Sequence, residues 1–288
     1  MSKVAYLIVA HTNPQQLSRL ISRLHDDQVF FAVHISLTAS SPLEDFQREL
    51  EKSVPAAKVE FTGQRYKGTW GSFNLVKIAI ELIRTALKAK PAHLVLISGQ
   101  DYPIKSRSDF YKLLEENRET IFMPFKLVDW PANKTNRINS YFFPDIFNYG
   151  KSDKALLLAR IITFLLPKRT FPQGLTPYTG RYWCILPYDA AAFLLNEYDT
   201  NKELTRYFKY VLIPEEQYFH TILMNSSFVS RMRNFIVSFA DYTGSRTPVW
   251  QKKDLGLLKS QASPFARRFD PNVDNEVMDG IDREILGV

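Results

Sequence analysis

The sequence predicts an α/β fold in which helices flank a sheet, and three observations support this prediction. Strand-like and helix-like apolar periods alternate through residues 1–126, which is typical of a parallel sheet that binds nucleotides. An apolar strand near residues 93–98 runs into a Gly-Gln-Asp turn and stops at Pro103. The regular pattern loosens over residues 127–180 and returns after Gly180.

The apolar periods place the elements in chain order. Strands are predicted near residues 4–10, 29–36, 57–61, 93–98, 120–125, 182–186 and 235–240. Helices are predicted near residues 14–25, 43–52, 72–89, 107–117, 188–198, 215–224, 252–260 and 274–285. The segment 127–180 is long for a connection in a compact domain, which is typical of functional loops or lids. Because no linker interrupts the pattern, residues 1–288 are predicted to form one domain.

Composition describes a folded chain and restricts its partners. With 45% hydrophobic residues among 288, the chain can bury a large core. Lys and Arg outnumber Asp and Glu by 37 to 30, and this net charge of +7 favours anionic ligands. No nucleic-acid-binding module or basic stripe with interleaved aromatics is found, so no nucleic-acid partner is expected.

The cysteine content and the amino-terminal residues bear on localisation. A single cysteine, Cys184, excludes an internal disulfide. Residues 4–10 resemble a core strand rather than a signal peptide, so we expect a cytoplasmic protein.

The longest apolar run, residues 155–166, allows more than one interpretation. Arg160 interrupts it, and it is shorter than the roughly 20 residues that a membrane span needs. A buried helix or a lid over a substrate cleft is the favoured interpretation. The alternative is an interfacial helix that contacts anionic lipid through residues 155–169, since Lys151, Lys154, Lys168 and Arg169 flank the run.

Three short motifs are candidates for chemistry, and each also has an ordinary structural explanation. Gly99-Gln100-Asp101-Tyr102-Pro103-Ile104 brings Asp101 to the sheet edge where α/β proteins bind ligands, although Gly and Asp are common in plain turns. Pro214-Glu215-Glu216 offers a carboxylate that can accept a proton, although proline and acids also begin ordinary helices. Phe265-Ala266-Arg267-Arg268-Phe269-Asp270 offers two cations for phosphate, although a solvated surface pair is equally consistent.

Taken together and in this order, the three motifs resemble those of the core-2/I-branching N-acetylglucosaminyltransferases and peptide O-xylosyltransferases, glycosyltransferase family 14. The resemblance runs from about residue 4 to residue 285 and does not cover 127–180. It implies a variant GT-A-like, Rossmann-type nucleotide-sugar fold with a mixed sheet flanked by helices. Residues 1–126 would form the nucleotide-sugar-binding half, and residues 127–288 the acceptor-binding and catalytic half.

The activity implied is inverting transfer of GlcNAc or xylose from a UDP-sugar to a hydroxyl of a glycan, lipid-linked or peptide acceptor. Glu216 matches the family's catalytic base, with Glu215 as its nearest rival. Arg268 matches the diphosphate-binding lysine, and Arg267 is its neighbour. The chain has no Asp-x-Asp motif, so neither a divalent metal nor another cofactor is expected.

Weaker correspondences complete the predicted site. The donor side receives His11, Ser36, Arg65, Trp70, Asp101 and Arg246, in addition to Arg267 and Arg268. Sugar and acceptor contacts are assigned to Tyr182 and Trp183, of which Trp183 is favoured, and to Lys134, Arg137 and Tyr141 in the uncovered segment. His11 is also consistent with a structural histidine, and Trp70 with a core tryptophan.

Departures from the family pattern keep a second hypothesis open. Ser36 stands where the family usually has aspartate, Arg181 where it has serine, and Arg246 where it has histidine. A catalytically inactive protein that binds a nucleotide sugar or a glycan is therefore the alternative. The eukaryotic relatives are Golgi proteins with a membrane anchor and several disulfides, and we expect neither feature in this chain. We therefore expect a microbial member that acts in the cytoplasm on a cell-surface polysaccharide or lipid-linked acceptor, with membrane contact at the inner face.

Overall fold

The central sheet of this chain is mixed. A computed structural model describes residues 3–128, 137–146, 153–172, 174–241 and 247–288, without the side chains of 153–156 and 159. The strands within these residues are β1 (Val4–Ala10), β2 (Val29–Ile35), β3 (Lys58–Phe61), β4 (His93–Ser98), β5 (Asp101–Pro103), β6 (Ile121–Phe122), β7 (Phe125–Leu127), β8 (Tyr178–Gly180), β9 (Cys184–Pro187), β10 (Met232–Arg233), β11 (Ser238–Phe239) and β12 (Phe265–Arg267).

Seven of these strands form the main sheet in the order β10-β6-β9-β4-β1-β2-β3. Strands β4, β1, β2 and β3 are parallel to one another, as the alternating first half of the sequence predicts. Strand β9 runs antiparallel to both β4 and β6 and makes the sheet mixed. The predicted α/β class with a mixed sheet flanked by helices is thus confirmed.

The helices cover both faces of this sheet. They are α1 (Pro14–Leu24), α2 (Leu43–Ser53), α3 (Asn74–Leu87), α4 (Arg107–Glu116), α5 (Asp153–Leu165), α6 (Tyr188–Thr200), α7 (Lys202–Phe208), α8 (Tyr218–Met224), α9 (Leu255–Ser260) and α10 (Glu276–Ile281). Strand β1 shows the two-sided core directly, since Tyr6 and Ile8 pack into one apolar cluster and Leu7 and Val9 into the other. Alternate residues of a strand point to opposite faces, so a strand buried on both sides is apolar throughout.

A small second sheet joins the carboxyl-terminal part of the chain to the main one. Strand β12 pairs with β5 antiparallel and with β11 parallel. The buried hydroxyl of Tyr102 on β5 donates a 2.7 Å hydrogen bond to Asp282, which also pairs with Arg19 and Arg23 on α1. These contacts fix β12, and with it Arg267, against the carboxyl end of the main sheet.

Two sequence predictions need correction. The strand expected over 120–125 is interrupted, because β6 ends at Phe122 and β7 begins at Phe125 in a separate two-stranded sheet with β8. The helix expected over 215–224 begins as a 3-10 turn, Pro214–Glu216, and becomes α-helical only at Tyr218. The turn leaves the two glutamates outside the helix that follows.

Helix α5 is exposed rather than buried. The exposed fractions are 60% for Leu157, 47% for Ile161 and 86% for Phe164, which recur on one helix face. This contradicts the interpretation of residues 155–166 as a core helix. Among the described residues, no helix combines the length and the apolar character required to cross a bilayer.

Candidate active site

A single cavity of about 1200 Å³ contains most of the predicted site residues that the structure describes. Its floor is formed where the parallel strands end, with His11 after β1, Ser36 after β2 and Ser98 at the end of β4. Its other wall is formed by the turn that carries Glu215 and Glu216. The carboxyl edge of the sheet is thus the binding edge, as the topology predicts.

The cationic end of the cavity lies beside His11. Arg267 at the end of β12 lines the cavity. Loss of solvation lowers the pKa of His11, and the positive charges of Arg267 and Arg268 lower it further. The His11 ring is therefore uncharged at neutral pH. An anionic group bound here would face Arg267 and a ring that offers one hydrogen-bond donor, whereas Arg268 is not among the described lining residues.

Ser36 and Arg65 stabilise the backbone at the end of β2. The Ser36 hydroxyl accepts hydrogen bonds from the backbone N–H groups of Gly68 at 3.0 Å and Thr38 at 3.2 Å. Arg65 donates from Nε to the Ile35 carbonyl at 2.8 Å and from Nη2 to the Ser36 carbonyl at 3.2 Å. Ser36 lines the cavity, whereas Arg65 acts through the β2 backbone that it holds.

Asp101 lies beneath the cavity floor. Its side chain is completely buried. It accepts hydrogen bonds from the backbone N–H of Ser98 at 2.6 Å, from the Ser98 hydroxyl and from the Ser238 hydroxyl. These three donors occupy the carboxylate, so the prediction that Asp101 contacts the donor is corrected to a structural role. Asp101 fixes the end of β4, and Ser98 there lines the cavity.

The Trp70 turn and the glutamate turn are in direct contact. Trp70 lines the cavity and is 59% exposed, which excludes the core interpretation of this residue. The backbone N–H of Ile213 donates to the carbonyl of Gly71 at 3.1 Å. Both residues have positive φ, +56° at Ile213 and +74° at Gly71, and a Cβ on Gly71 would lie 3.2 Å from Leu212 Cδ1. An isoleucine in the left-handed region is an outlier, and such outliers cluster at functional sites.

Glu216 lies among cations at the wall of the cavity. Burial raises its pKa, whereas the positive charges of Arg137, Arg181 and Lys126 lower it. All three cations line the same cavity. The Glu216 carbonyl accepts a 3.0 Å hydrogen bond from the Thr179 hydroxyl on β8, which fixes the backbone of the turn. A half-buried carboxylate in this position can accept a proton from a bound hydroxyl.

Glu215 lines the same cavity but is more deeply buried than Glu216. It is 4% exposed, and burial raises its pKa to about 8. Its Oε2 atom has no hydrogen-bond partner within the described part of the chain. With a pKa of about 8, Glu215 is mostly protonated at neutral pH.

Of the two predicted aromatic residues, Tyr182 is buried and Trp183 is half-buried. The Tyr182 hydroxyl donates to the Leu75 carbonyl at 2.7 Å, and the side chain is only 7% exposed. Trp183 is half-buried, lines the cavity and carries the Arg267 guanidinium at 4.3 Å from its ring. Of the two, Trp183 offers more of its ring to a ligand.

Gly180, the last residue of β8, packs very closely against the backbone that precedes β7. A Cβ at this position would lie 1.7 Å from the Pro124 carbonyl oxygen and 2.7 Å from His220 Nε2. Burial lowers the pKa of His220 to about 4, so the ring is neutral, and Nε2–H donates to the Arg181 carbonyl at 3.1 Å. Glycine is required here because β7 and β8 approach one another beside Arg181 and Lys126.

The remaining predicted residues are divided between the cavity, a separate cluster and the undescribed part of the chain. Arg137 lines the cavity. Tyr141 packs instead with Phe143, Tyr210 and the guanidinium of Arg169, and it is not among the described lining residues. Lys134 and Arg246 lie outside the described residues.

The structure adds lining residues that the sequence interpretation missed. They include Lys126, Asn139, Thr179, Gln217, Asn234 and Thr247. Gln217 follows the two glutamates directly and was the easiest to find; its amide donates to the Leu212 and Ile213 carbonyls. Lys126 gave no signal, because one lysine on a short edge strand resembles any solvated lysine. The described residues contain no group of three or more His, Cys, Asp or Glu side chains arranged to hold a metal ion.

Comparison with known proteins gives one family and several relatives. A family model described as Core-2/I-Branching enzyme matches residues 4–261. The chain is 22% identical to xylosyltransferase sqv-6 of Caenorhabditis elegans and 24% identical to xylosyltransferase 2 of Homo sapiens, and each alignment covers 99% of this chain. The alignments cover 37% and 34% of those relatives, so the chain spans about a third of their length.

Two similar solved structures each have a TM-score of 0.41 to this chain. Mouse xyloside xylosyltransferase 1 in its apo form has a TM-score of 0.41 and 10% identity, over 91% of this chain and 97% of that chain. S. aureus TarS has a TM-score of 0.41 and 15% identity, over 98% of this chain and 39% of that chain.

Proposed function

Because the chain belongs to the Core-2/I-Branching enzyme family, we propose that it is an inverting, metal-independent glycosyltransferase. The donor in this proposal is a UDP-sugar, with GlcNAc or xylose as the sugar. The curated relatives described above are named xylosyltransferases, so UDP-xylose is the first donor to test. The acceptor is a hydroxyl of a glycan, a lipid-linked sugar or a peptide.

One observation carries this proposal: Glu216 and Arg267 line the same cavity, and Arg268 acts on His11 at its cationic end. A transferase without a metal needs a base for the acceptor and positive charge for the leaving diphosphate. The cavity provides the carboxylate of Glu216 and the guanidinium of Arg267, and Arg268 adds its positive charge beside His11. Trp183 lies beside Arg267 and offers a ring for the donor sugar to stack on.

The proposed reaction is a single displacement. Glu216 takes the proton of the acceptor hydroxyl as its oxygen forms a bond to the anomeric carbon. The bond between that carbon and the UDP oxygen breaks on the opposite face, which inverts the configuration. The electron pair of this bond leaves with UDP, and Arg267 and Arg268 stabilise the negative charge on its diphosphate.

The alternative is a catalytically inactive protein that binds a nucleotide sugar or a glycan. Ser36 is consistent with this alternative, because its hydroxyl binds the backbone of Gly68 and Thr38 where an aspartate would bind the nucleotide. Hydrolysis of a UDP-sugar by the purified protein excludes it.

A panel of nucleotide sugars tests the proposal. Thermal unfolding of the purified chain is measured with UDP-xylose, UDP-GlcNAc, UDP-glucose and GDP-mannose, with and without EDTA. We expect one UDP-sugar to raise the Tm, EDTA to leave the shift unchanged, and slow release of UDP to accompany it. Stabilisation only by GDP-mannose, or a shift that EDTA removes, contradicts the proposal.

We further propose that α5 brings the protein to the cytoplasmic face of the inner membrane as a peripheral protein. Its exposed face carries Leu157, Ile161 and Phe164, and the exposed cations Arg160 and Lys168 lie beside it. Apolar side chains flanked by cations suit an interface rich in anionic lipid. This orientation suits a lipid-linked acceptor, since one backbone hydrogen bond joins the residues after α5 to the cavity wall: Arg169 N–H donates to the carbonyl of Asn139, which lines the cavity.

Vesicle flotation tests the membrane proposal. Vesicles of phosphatidylcholine with about 30% phosphatidylglycerol are expected to bind the protein at low salt, and pure phosphatidylcholine to bind much less. Phe164→Ser is expected to reduce binding several-fold, whereas Leu257→Ser removes an exposed leucine elsewhere and serves as the control. Equal binding by both variants contradicts a role for α5.

A further inference from the structure

The Glu215 side chain is buried at the wall of the cavity with an oxygen that lacks a partner. Glu215 lines the cavity and is 4% exposed. Its Oε2 atom has no hydrogen-bond partner among the residues that the structure describes. A buried polar atom without a partner costs stability, so it calls for an explanation in a folded protein. A ligand in the cavity that pairs with this carboxyl group would supply one.

The turn that carries Glu215 is held by other groups. The Gln217 amide donates to the two carbonyls that precede the turn, at 3.0 and 3.2 Å. The Thr179 hydroxyl on β8 donates to the Glu216 carbonyl at 3.0 Å. None of these bonds uses the Glu215 side chain, so its carboxyl group is held in place by the backbone and is available to a ligand.

Contacts along one wall of the cavity connect this turn to Trp183. The backbone N–H of Ile213, just before the turn, donates to the Gly71 carbonyl at 3.1 Å. Further along the same segment, the Leu75 carbonyl accepts a 2.7 Å hydrogen bond from the Tyr182 hydroxyl. Leu75, Tyr182 and Trp183 all line the cavity. The turn and Trp183 therefore belong to one continuous wall.

The transferred sugar must lie along this wall in the proposed reaction. The Arg267 guanidinium, 4.3 Å from the Trp183 ring, holds the diphosphate, and Glu216 holds the attacking hydroxyl. In an inverting displacement the anomeric carbon lies between these two groups. The sugar ring therefore faces the wall between Arg267 and Glu216, and Glu215 directly precedes Glu216 there.

We infer that Glu215 determines the choice of donor sugar, because its carboxyl group forms a hydrogen bond with a ring hydroxyl of the sugar carried by UDP. This inference rests on the proposed function and adds a specificity residue to its donor site. The terminal torsion of a glutamate side chain is broad, so rotation of the carboxyl group can turn either oxygen toward the sugar.

The protonation of Glu215 suits this partner. Burial raises the pKa of its carboxyl to about 8, so at neutral pH the group is mostly a carboxylic acid, which both donates and accepts hydrogen bonds. A sugar hydroxyl also does both. The acid and the hydroxyl can therefore satisfy each other without a change in charge.

Donor binding by the full chain tests this inference. Calorimetric titration without acceptor measures the Kd for UDP, UDP-xylose and UDP-GlcNAc with the wild type and with Glu215→Leu, which removes the hydrogen-bonding group and keeps much of its volume. Glu215→Leu is expected to raise the Kd of the better UDP-sugar about tenfold, because a buried hydroxyl loses its partner. The Kd for UDP is expected to change by less than about twofold, since UDP lacks the sugar.

Further variants separate hydrogen bonding from packing. Glu215→Gln keeps a group that donates and accepts, so it should retain most of the affinity for the UDP-sugar. Glu215→Ala gives the same comparison where the leucine variant does not fold. Glu203→Leu, at an exposed glutamate on α7, is the matched control. A Glu215→Leu variant that weakens UDP and the UDP-sugar equally, or weakens neither, overturns the inference.

Deoxy donors identify the hydroxyl. The 2-deoxy, 3-deoxy and 4-deoxy analogues of the better donor are titrated into the wild type and Glu215→Leu. The analogue that lacks the partner hydroxyl should bind both proteins about equally, whereas the others should keep the difference. A difference of the same size with all three analogues means that Glu215 contacts no single ring hydroxyl, and it overturns the inference.

The proposed function can fail separately. A UDP-sugar that binds every Glu215 variant as tightly as the wild type overturns only the specificity role. A protein that binds neither UDP nor either UDP-sugar overturns the proposed function, and the inference fails with it.

Discussion

The guanidinium of Arg267 lies over the ring of Trp183, 4.3 Å from its centroid. This contact joins β12, near the carboxyl end of the chain, to the segment between β8 and β9. The two residues lie in motifs more than eighty positions apart in the sequence, and each lines the cavity. The ring holds the guanidinium in one place, and a guanidinium stacked on a ring can still donate hydrogen bonds to a ligand from its edge.

Replacing Trp183 should therefore weaken UDP binding. Trp183→Leu removes the ring, and a partly buried cation–π contact contributes about 1–2 kcal/mol, so the Kd for UDP should rise roughly five- to thirtyfold. Trp183→Phe keeps an aromatic face and should retain most of the affinity. Calorimetric titration of both variants with UDP makes the comparison. A Leu variant that binds UDP as tightly as the Phe variant would show that the ring does not position Arg267.

Glu216→Gln should abolish most transfer and leave the donor site intact. The amide keeps the shape of the side chain but cannot accept the hydroxyl proton, and loss of a general base costs on the order of 10²–10⁴ in rate. The rate of UDP release in the presence of acceptor and the Kd for UDP are both measured. Glu203→Gln, an exposed glutamate on α7, is the control. Turnover near that of the wild type would remove Glu216 from the mechanism.

Arg268→Ala should act on the affinity for UDP. A charge-assisted hydrogen bond to a phosphate contributes about 1.5–3 kcal/mol, which corresponds to a rise in Kd of roughly ten- to a hundredfold. The Kd is compared with that of Arg283→Ala, in which the lost side chain is 72% exposed. If both variants bind UDP equally well, Arg268 belongs to the solvated surface.

Much of the sheet could be predicted from the sequence, because long apolar strands and helices have distinct periods. Strands β1, β2 and β4 and helices α1, α2 and α3 lie within a few residues of their predicted positions. Strand β9 was predicted as a strand, but its antiparallel direction depends on the long connection before it, which has no periodic signal. The same limit applies to Lys126, whose position in the cavity depends on the pairing of β7 with β8.

The motifs predicted which residue types meet, but not which side chains face the ligand. Glu216 and Arg267 both line the cavity. Asp101, from an equally distinctive motif, is held internally by Ser98 and Ser238. A residue in a motif can serve as a ligand contact or as a buried hydrogen-bond partner, and the residue type is the same in both cases. Only the packing around the side chain distinguishes them.

Gly180→Ala should disrupt the site through the backbone. The new Cβ would lie 1.7 Å from the Pro124 carbonyl oxygen, a backbone atom that cannot move without displacing β7. We expect a loss of several kcal/mol of stability or a displaced β7–β8 pair, with activity reduced in either case. Gly256→Ala is the control, because a Cβ at that position would have no neighbouring atom within 4 Å and the φ there is unexceptional. Thermal unfolding and UDP release by the two variants give the comparison, and similar values would mean that β7 and β8 separate easily.

Glu215 should make the stability of the protein fall as the pH rises. Burial raises the pKa of its carboxyl from 4.5 to about 8 in the folded protein, so the folded chain keeps a proton that the unfolded chain releases above pH 4.5. Between these two values the unfolded state binds fewer protons, and the free energy of unfolding decreases with increasing pH. Below pH 4.5 this penalty is absent, and above pH 8 it is complete.

Glu215→Gln removes the ionisable group but keeps the size of the side chain, so the variant should gain stability relative to the wild type as the pH rises from 5 to 8.5. The gain should be on the order of a few kcal/mol, or several degrees in Tm for a chain of this size. Thermal unfolding of both proteins across this range gives the difference in Tm between variant and wild type. The buried histidines are the same in both proteins, so their titration does not contribute to this difference. Glu203→Gln should show a constant difference. A constant difference for Glu215→Gln as well would mean that the Glu215 carboxyl is already ionised in the folded protein across this range.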